Sequence, residues 1–334
     1  MPDPLTIAEA AAAARSAATR LAGQVVHTPL RPYPALSRRT AATVVMKCEN
    51  EQHTGSFKFR GALNRLLTLD PATRRRGVVV ASSGNHGAAV ARAMQVLDVP
   101  GIVFVPKHVS ERKLDAIREY GATVELYGDN GLDTELHARA HAEAEGMFYL
   151  SPYNDPEVIA GQGTIGVELL EDMPDIDVAV IAVGGGGLLA GVASVLKSAR
   201  PGIRIVAVQP EASPVMAVSV ETGRVVDVAE ETTLSDGTAG GVEADTITFD
   251  LVRDLADEFV LVPEQDIAVA IRDLHRDEGM LVEGAAAMTL AAVAMRADGL
   301  RGRKVLALIC GGNIAPATVD RAMGLAAEVT PSGG

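Results

Sequence analysis

The sequence predicts an α/β protein built from two doubly wound domains with mostly parallel sheets. Three observations predict it. Short β-branched runs alternate with longer, alanine-rich helical patterns over most of the chain, the alternation that winds α/β units on a parallel sheet. At 334 residues the chain exceeds what one hydrophobic core usually fills, so two domains in close contact are expected. Finally, the strand-like runs near 77, 101, 123 and Phe148 form a compact group enclosed by the rest. The expected division is a discontinuous large domain over 1–67 and 150–334 and a small domain over 68–149.

Taken in order, residues 5–22 are alanine-rich but are interrupted by Glu9, Arg15 and Arg20. That pattern predicts an exposed or domain-covering helix rather than a signal peptide. Strands are expected at 43–48, 77–81, 101–105, 123–127, 178–183, 203–208, 259–262 and 305–310, where β-branched residues cluster between turn-forming ones. Helices are expected near 86–97, 110–120, 132–145, 157–171, 188–199, 264–277, 284–296 and 316–327. Charge, Gly or Pro cuts every apolar stretch short of a membrane span.

Composition narrows the function classes. The formal charge of −13 repels phosphate backbones and anionic membranes, which removes the main source of nucleic-acid affinity. A small-molecule role fits better. Two cysteines, Cys48 and Cys310, are too few and too far apart for a disulfide framework, and a reducing, cytoplasmic compartment is expected.

The chemistry is sought beyond the C-terminal strand ends, where α/β sheets bind ligands. Three loops qualify: 82–87, 184–187 and 310–313. In a chain with six Phe and no Trp, residues 55–61 also read G-S-F-K-F-R-G. A lysine between aromatic side chains suits a Schiff-base site, because desolvation lowers its pKa and frees the neutral amine. Read alone, Lys58 could equally be a snorkelling lysine at a helix start.

Gly184, Gly185, Gly186 and Gly187 stand between a strand and a helix beginning near Leu188. Unhindered N–H groups and the positive helix end make an anion nest. Gly185, Gly187 and Ala190 also satisfy a G-x-G-x-x-A dinucleotide fingerprint, with Glu211 where a ribose-binding acid would stand, so an NAD-dependent dehydrogenase stays open at this point. Ser82, Ser83, Gly84, Asn85, His86 and Gly87 gather hydroxyl, amide, imidazole and backbone donors where another helix begins, a group suited to a carboxylate. His137 and His141 are four apart, but Glu135, Glu143 and Glu145 around them describe a solvated face, and no metal site is expected. Cys310 lacks a basic neighbour in sequence and reads as a buried thiol or a weak partner for a heterocycle.

Together, the lysine motif, S-S-G-N-H-G, the tetraglycine, C-G-G-N and P-E-V-I-A-G-Q-G-T-I-G at 156–166 resemble the pyridoxal-phosphate enzymes of the tryptophan-synthase-β type, or fold type II. Within them the chain is similar to the threonine and serine dehydratases and the serine racemases, from about Val26 through the last helix. The resemblance implies pyridoxal 5'-phosphate in the interdomain cleft, held by Lys58 as a Schiff base. It implies Phe57 beside the ring, Asn85 at the ring oxygen, Gly184 to Gly187 with Leu188 at the phosphate, and Cys310 facing the pyridine nitrogen, where many relatives have serine. Ser82, Ser83, Asn85, His86 and Gly87 would receive the substrate carboxylate. The small domain would move to close over the substrate.

The reaction so implied is an ammonia-lyase (dehydratase) elimination. Lys58 takes the Cα proton of an L-β-hydroxy amino acid, threonine, serine or a 3-hydroxy relative, the β-hydroxyl leaves, and a 2-oxo acid and ammonia result. A neutral Cys310 makes the ring a weaker electron sink, which suits elimination better than transamination. In the racemases a serine at the position of Ser83 works on the face opposite the lysine, so a serine or amino-acid racemase with side elimination is the alternative. Two departures stand out. Ala88 occupies a place where relatives commonly have glutamine, and Gln209 and Val215 replace the acids of the racemases' cation site, so no tight metal is expected. The chain ends near 330, which leaves no room for an isoleucine-binding regulatory domain, and a homodimer is the expected assembly.

Overall fold

The computed structural model describes residues 5–328; the outermost ends of the expected large domain, 1–4 and 329–334, lie outside the described residues. In chain order the elements are α1 (Ile7–Leu21), β1 (Leu30–Pro32), α2 (Pro34–Thr40), β2 (Thr43–Cys48), α3 (Lys58–Thr68), α4 (Pro71–Arg76), β3 (Val78–Ala81), α5 (Asn85–Leu97), β4 (Gly101–Val105), α6 (Glu111–Arg118), β5 (Thr123–Leu126), α7 (Gly131–Glu145) and β6 (Phe148–Tyr149). There follow α8 (Pro156–Asp172), β7 (Val178–Ala182), α9 (Gly187–Ala199), β8 (Arg204–Pro210), α10 (Val215–Thr222), α11 (Thr248–Leu255), β9 (Glu258–Val262), α12 (Glu264–Glu278), α13 (Gly284–Met295), α14 (Ala297–Leu300), β10 (Lys304–Ile309) and α15 (Pro316–Glu328).

These elements form two sheets. The larger has six strands in the order β1-β2-β10-β7-β8-β9, and the smaller has four, β5-β4-β3-β6. Every pairing is parallel except β1 with β2, in which Leu30 faces Lys47. The central strands are buried along their whole length, as β7 (V-A-V-I-A) and most of β10 (K-V-L-A-L-I) are, because helices cover both faces of a parallel sheet. Each sheet has its own principal core: Ile181, Leu189, Val208 and Leu306 belong to the larger, Leu63, Val80, Val90 and Val103 to the smaller.

Two details position the site. At the start of α3, Ser56 bridges Gly311 and the Phe57 N–H donates to the Cys310 carbonyl at 3.0 Å, which pins the residues before Lys58 to the end of β10. Farther along, α3 meets α8 at two glycines: a Cβ on Gly161 would lie 2.6 Å from the Gly61 Cα and from the Arg60 carbonyl oxygen. Behind the crossing Arg60 is fully buried. It donates to both Glu49 oxygens at 2.8 Å and to Glu168 at 2.6 and 3.0 Å, while Lys47 Nζ meets Glu168 at 2.6 Å. Burial works against the Arg60 charge, but the two glutamates more than offset it and raise its pKa.

Candidate active site

Beyond the C-terminal ends of β3, β7 and β10 lies a cavity of about 800 Å³. The loop after β3 contributes Ser82, Ser83, Asn85 and His86; the loop after β7 contributes Gly184, Gly185, Gly186, Gly187 and Leu188; Phe57, Lys58 and Cys310 complete it. Of the residues expected to hold the cofactor or the substrate, Gly87 alone is absent from the lining. It is buried behind the wall, where a Cβ would sit 2.1 Å from the Ser82 carbonyl oxygen. Its missing side chain lets helix α5 start directly under that loop.

Lys58 is the first residue of α3, and its Nζ donates to the Pro152 carbonyl oxygen at 3.0 Å. The amine lies 5.1 Å from the Phe57 ring centroid. Burial lowers its pKa to about 8, with the nearby Glu283 carboxylate pulling the other way. A nucleophilic neutral amine is therefore accessible near physiological pH. Cys310 is only 4% exposed, and burial pushes its thiol well above the ordinary range, so it faces the cavity uncharged.

The four glycines are required by what surrounds them. A Cβ on Gly185 would lie 2.3 Å from the Tyr153 ring, and one on Gly187 3.0 Å from the Tyr153 Cβ. Gly186 has φ +86°, and the Gly185 carbonyl accepts from the Thr248 hydroxyl at 2.7 Å. The turn is thus clamped between Tyr153 and Thr248, leaving its N–H groups and the start of α9 to face the cavity. Because the first N–H groups of a helix have no partner within it, this end is suited to an anion.

His86 is buried, and its Nε2 lies 3.0 Å from the Leu150 carbonyl oxygen. A carbonyl only accepts, so Nε2 carries the proton; burial, with Lys58 nearby, lowers the pKa to about 3 and keeps the ring neutral. The imidazole donor is therefore already used. What His86 still offers a carboxylate is its backbone N–H at the start of α5.

Several cavity residues were not legible as such. Asn85 Nδ2 donates to both oxygens of Glu283 at 2.8 and 2.9 Å, and Asn313 ties the same carboxylate through its backbone N–H at 2.8 Å. Glu283 gave one signal, a single acid in the apolar run 279–295. Tyr153 and Pro152 gave none, since their parts depend on a ring face and a backbone carbonyl.

Other motifs fall elsewhere. Glu211, the acid of the dinucleotide reading, is exposed and does not line the cavity. His137 stacks on Tyr127 with centroids 3.5 Å apart, and His137 and His141 both pack edge-on against Phe104. Gln209 is buried and accepts from the Ala217 N–H at 2.7 Å. Among the described residues no cluster of three or more His, Cys, Asp or Glu is arranged to hold a metal, and no helix is long and apolar enough to cross a membrane. Cys48 and Cys310 are both free thiols.

Comparison with known proteins converges on one family. The family described as "Pyridoxal-phosphate dependent enzyme" matches residues 21–311. An L-threonine ammonia-lyase of Thermotoga maritima is 42% identical over 305 residues, 91% of this chain and 76% of the relative. The structure of threonine deaminase isoform 2 from Solanum lycopersicum superimposes with a TM-score of 0.92 at 31% identity, covering 97% of this chain and 89% of that one. Maize serine racemase superimposes with a TM-score of 0.87 at 30% identity, over 95% and 98% of the two chains. With a match spanning the buried lysine, the glycine turn and the cavity wall between them, the chain belongs to the pyridoxal-phosphate dependent enzyme family.

Proposed function

We propose that the chain is an ammonia-lyase that converts an L-β-hydroxy amino acid, threonine, serine or a 3-hydroxy relative, to a 2-oxo acid and ammonia by α,β-elimination. One observation carries the reading: the buried Lys58 amine, its pKa lowered to about 8, faces a cavity that also holds a glycine-lined helix N-terminus and an uncharged thiol. The similarity to an L-threonine ammonia-lyase at 42% identity supports the choice of substrate class.

The residues fit pyridoxal 5'-phosphate. Lys58 would hold its aldehyde carbon, Gly184 to Gly187 with Leu188 its phosphate, Cys310 its ring nitrogen, and Asn85 its ring oxygen, beside Phe57. Tyr153 packs where the Cβ atoms of 185 and 187 would stand, and the unpaired N–H groups at the start of α9 support a phosphate seat there. When bound, the cofactor supplies a carbonyl that condenses with amines and a ring that draws electrons from the substrate Cα.

The chain's own residues do the rest. Ser82, Ser83, Asn85 and the backbone N–H groups of His86 and Gly87 at the start of α5 bind the substrate carboxylate. Lys58, once its amine is free, removes the Cα proton as general base. The Cα–H and Cβ–O bonds break, the hydroxyl leaves as water, and hydrolysis of the released enamine returns that water and yields the 2-oxo acid and ammonia. The Cys310 thiol keeps negative charge away from the ring nitrogen, which favours prompt loss of the hydroxyl.

The proposal includes a large cofactor-binding domain over 1–67 and 150–334 and a small domain over 68–149 that moves to exclude water over the substrate. Contiguity of the four-stranded sheet in sequence supports that division, while its core also draws Phe59, Leu63 and Leu66 from α3. It also includes a homodimer working in the cytoplasm without nucleic-acid or membrane partners, which sedimentation and fractionation would check. A second reading, an amino-acid racemase with side elimination, is favoured by Ser83, which lines the same cavity.

The test is reconstitution with pyridoxal phosphate followed by a panel of L- and D-serine, threonine and 3-hydroxyaspartate scored for 2-oxo acid. Yellow protein that forms 2-oxo acid and loses its colour as Lys58→Ala is the expected result. Inversion without 2-oxo acid would replace the lyase by the racemase, and a colourless protein stabilised by NAD would overturn both.

A further inference from the structure

We propose that Glu283 is a positioning residue that orients the Asn85 carboxamide toward the bound cofactor and fixes its ring environment. The inference rests on the pyridoxal-phosphate reading above and adds a residue to it. Glu283 is the only charge in 279–295 and is 7% exposed. Burying a carboxylate is costly unless hydrogen bonds satisfy it. Here they come from the two asparagines: both Glu283 oxygens accept from Asn85 Nδ2, at 2.8 and 2.9 Å, and Oε1 also accepts the Asn313 backbone N–H at 2.8 Å.

The polarity of this chain of bonds has one solution. The Thr54 carbonyl oxygen only accepts, so the side chain of Asn313 must present its NH2 there, at 2.9 Å. The same NH2 then donates to Asn85 Oδ1 at 2.8 Å, which turns the Asn85 NH2 toward Glu283. Replacing the carboxylate by a carboxamide leaves one acceptor oxygen for these donors and sets an NH2 against the others, which frees the Asn85 amide to rotate. Two glycines make room for the arrangement. A Cβ on Gly55, whose φ is +70°, would lie 2.5 Å from Asn313 Oδ1, and one on Gly311 would lie 2.9 Å from Glu283 Oε2. The glycines beside Ser56 and Cys310 therefore serve the Glu283 network, whereas those at 184–187 serve the anion turn. Because Asn85 opens α5 and Asn313 follows β10, the network also joins the two sheets across the cavity.

The experiment is a double-mutant cycle on reconstituted protein, read by the visible absorbance maximum and by the Kd for pyridoxal phosphate. Glu283→Gln is nearly isosteric and should shift the maximum and weaken binding about tenfold, and Asn85→Ala should do the same. The double variant should be no worse than either single change, because residues that act as one unit are not additive. Glu283→Asp keeps the charge and should restore the parental maximum. A parental spectrum and Kd in Glu283→Gln, additive losses in the double variant, or an Asp variant that behaves like Gln would each overturn the proposal. A parent that stays colourless with pyridoxal phosphate would instead defeat the reading on which it rests.

Discussion

The Lys58 amine donates to the Pro152 carbonyl oxygen across 3.0 Å, a bond between the first residue of α3 and the segment that leads from β6 into α8. Its partner can only accept, so the amine is held without a base to take its proton, and burial alone brings its pKa down to about 8. Below that value the folded site holds an ammonium, and above it a free lone pair. The rate at which apoprotein turns yellow with pyridoxal phosphate should therefore climb about tenfold per pH unit below 8 and level off above it. A stopped-flow series from pH 6 to 10 checks this; a rate still climbing beyond pH 9 would indicate an unperturbed lysine.

Gly185 tests the anion turn. With Tyr153 packed where a Cβ would sit, 2.3 Å from its ring, Gly185→Ala must displace either the turn or the tyrosine. Overpacking of this kind costs about 1–3 kcal/mol, and the affinity for pyridoxal phosphate should fall by roughly the 5- to 150-fold that such a cost implies. Gly223→Ala, in open space at a helix end with φ +76°, serves as the strained control that leaves the cavity untouched. Equal cofactor Kd in the two variants would remove the turn from the cofactor site.

Ser83 separates the two proton-transfer readings. Ser83→Ala should abolish inversion of substrate, followed by chiral chromatography, and lower 2-oxo acid formation much less, because elimination needs a base on one face only. Parallel loss of both products would assign Ser83 to carboxylate binding.

Arg60 reports on the scaffold behind the lysine. Removing one member of a buried ion pair leaves its partner uncompensated, at about 3–5 kcal/mol. Arg60→Met leaves Glu49 without a cation, while Lys47 still pairs with Glu168, and should lower the urea midpoint by the corresponding amount. A loss under about 1 kcal/mol would mean that water or neighbouring groups take over the two carboxylates.

Much of this was readable from the chain itself, for identifiable reasons. Runs such as Val178 to Ala182 are apolar on both faces because helices cover both sides of a parallel sheet, so the fold class follows from the alternation. The anion turn was readable because four consecutive glycines have few uses. What escaped depends on contacts distant in sequence. β1 is a three-residue antiparallel edge containing Pro32, too short for a pattern. The α3 helix carries the lysine, yet its Gly61 is explained only by α8, a hundred residues on, and its Arg60 by Glu49 together with Glu168 of that helix. His86 was expected among the carboxylate donors, and only the position of the Leu150 carbonyl shows where its ring proton is used.

Consider the crossing of α3 and α8 once more. At Gly61 and Gly161 the two backbones approach so closely that a Cβ on Gly161 would lie 2.6 Å from its neighbours. Lys58 stands three residues before one glycine and Pro152 nine before the other, so this contact acts as a gauge block for the whole site. A methyl group there would push the two helices apart and loosen the hydrogen bond between amine and carbonyl, and with it the placement of the lysine. The tolerance to which this enzyme is machined is set by two hydrogens.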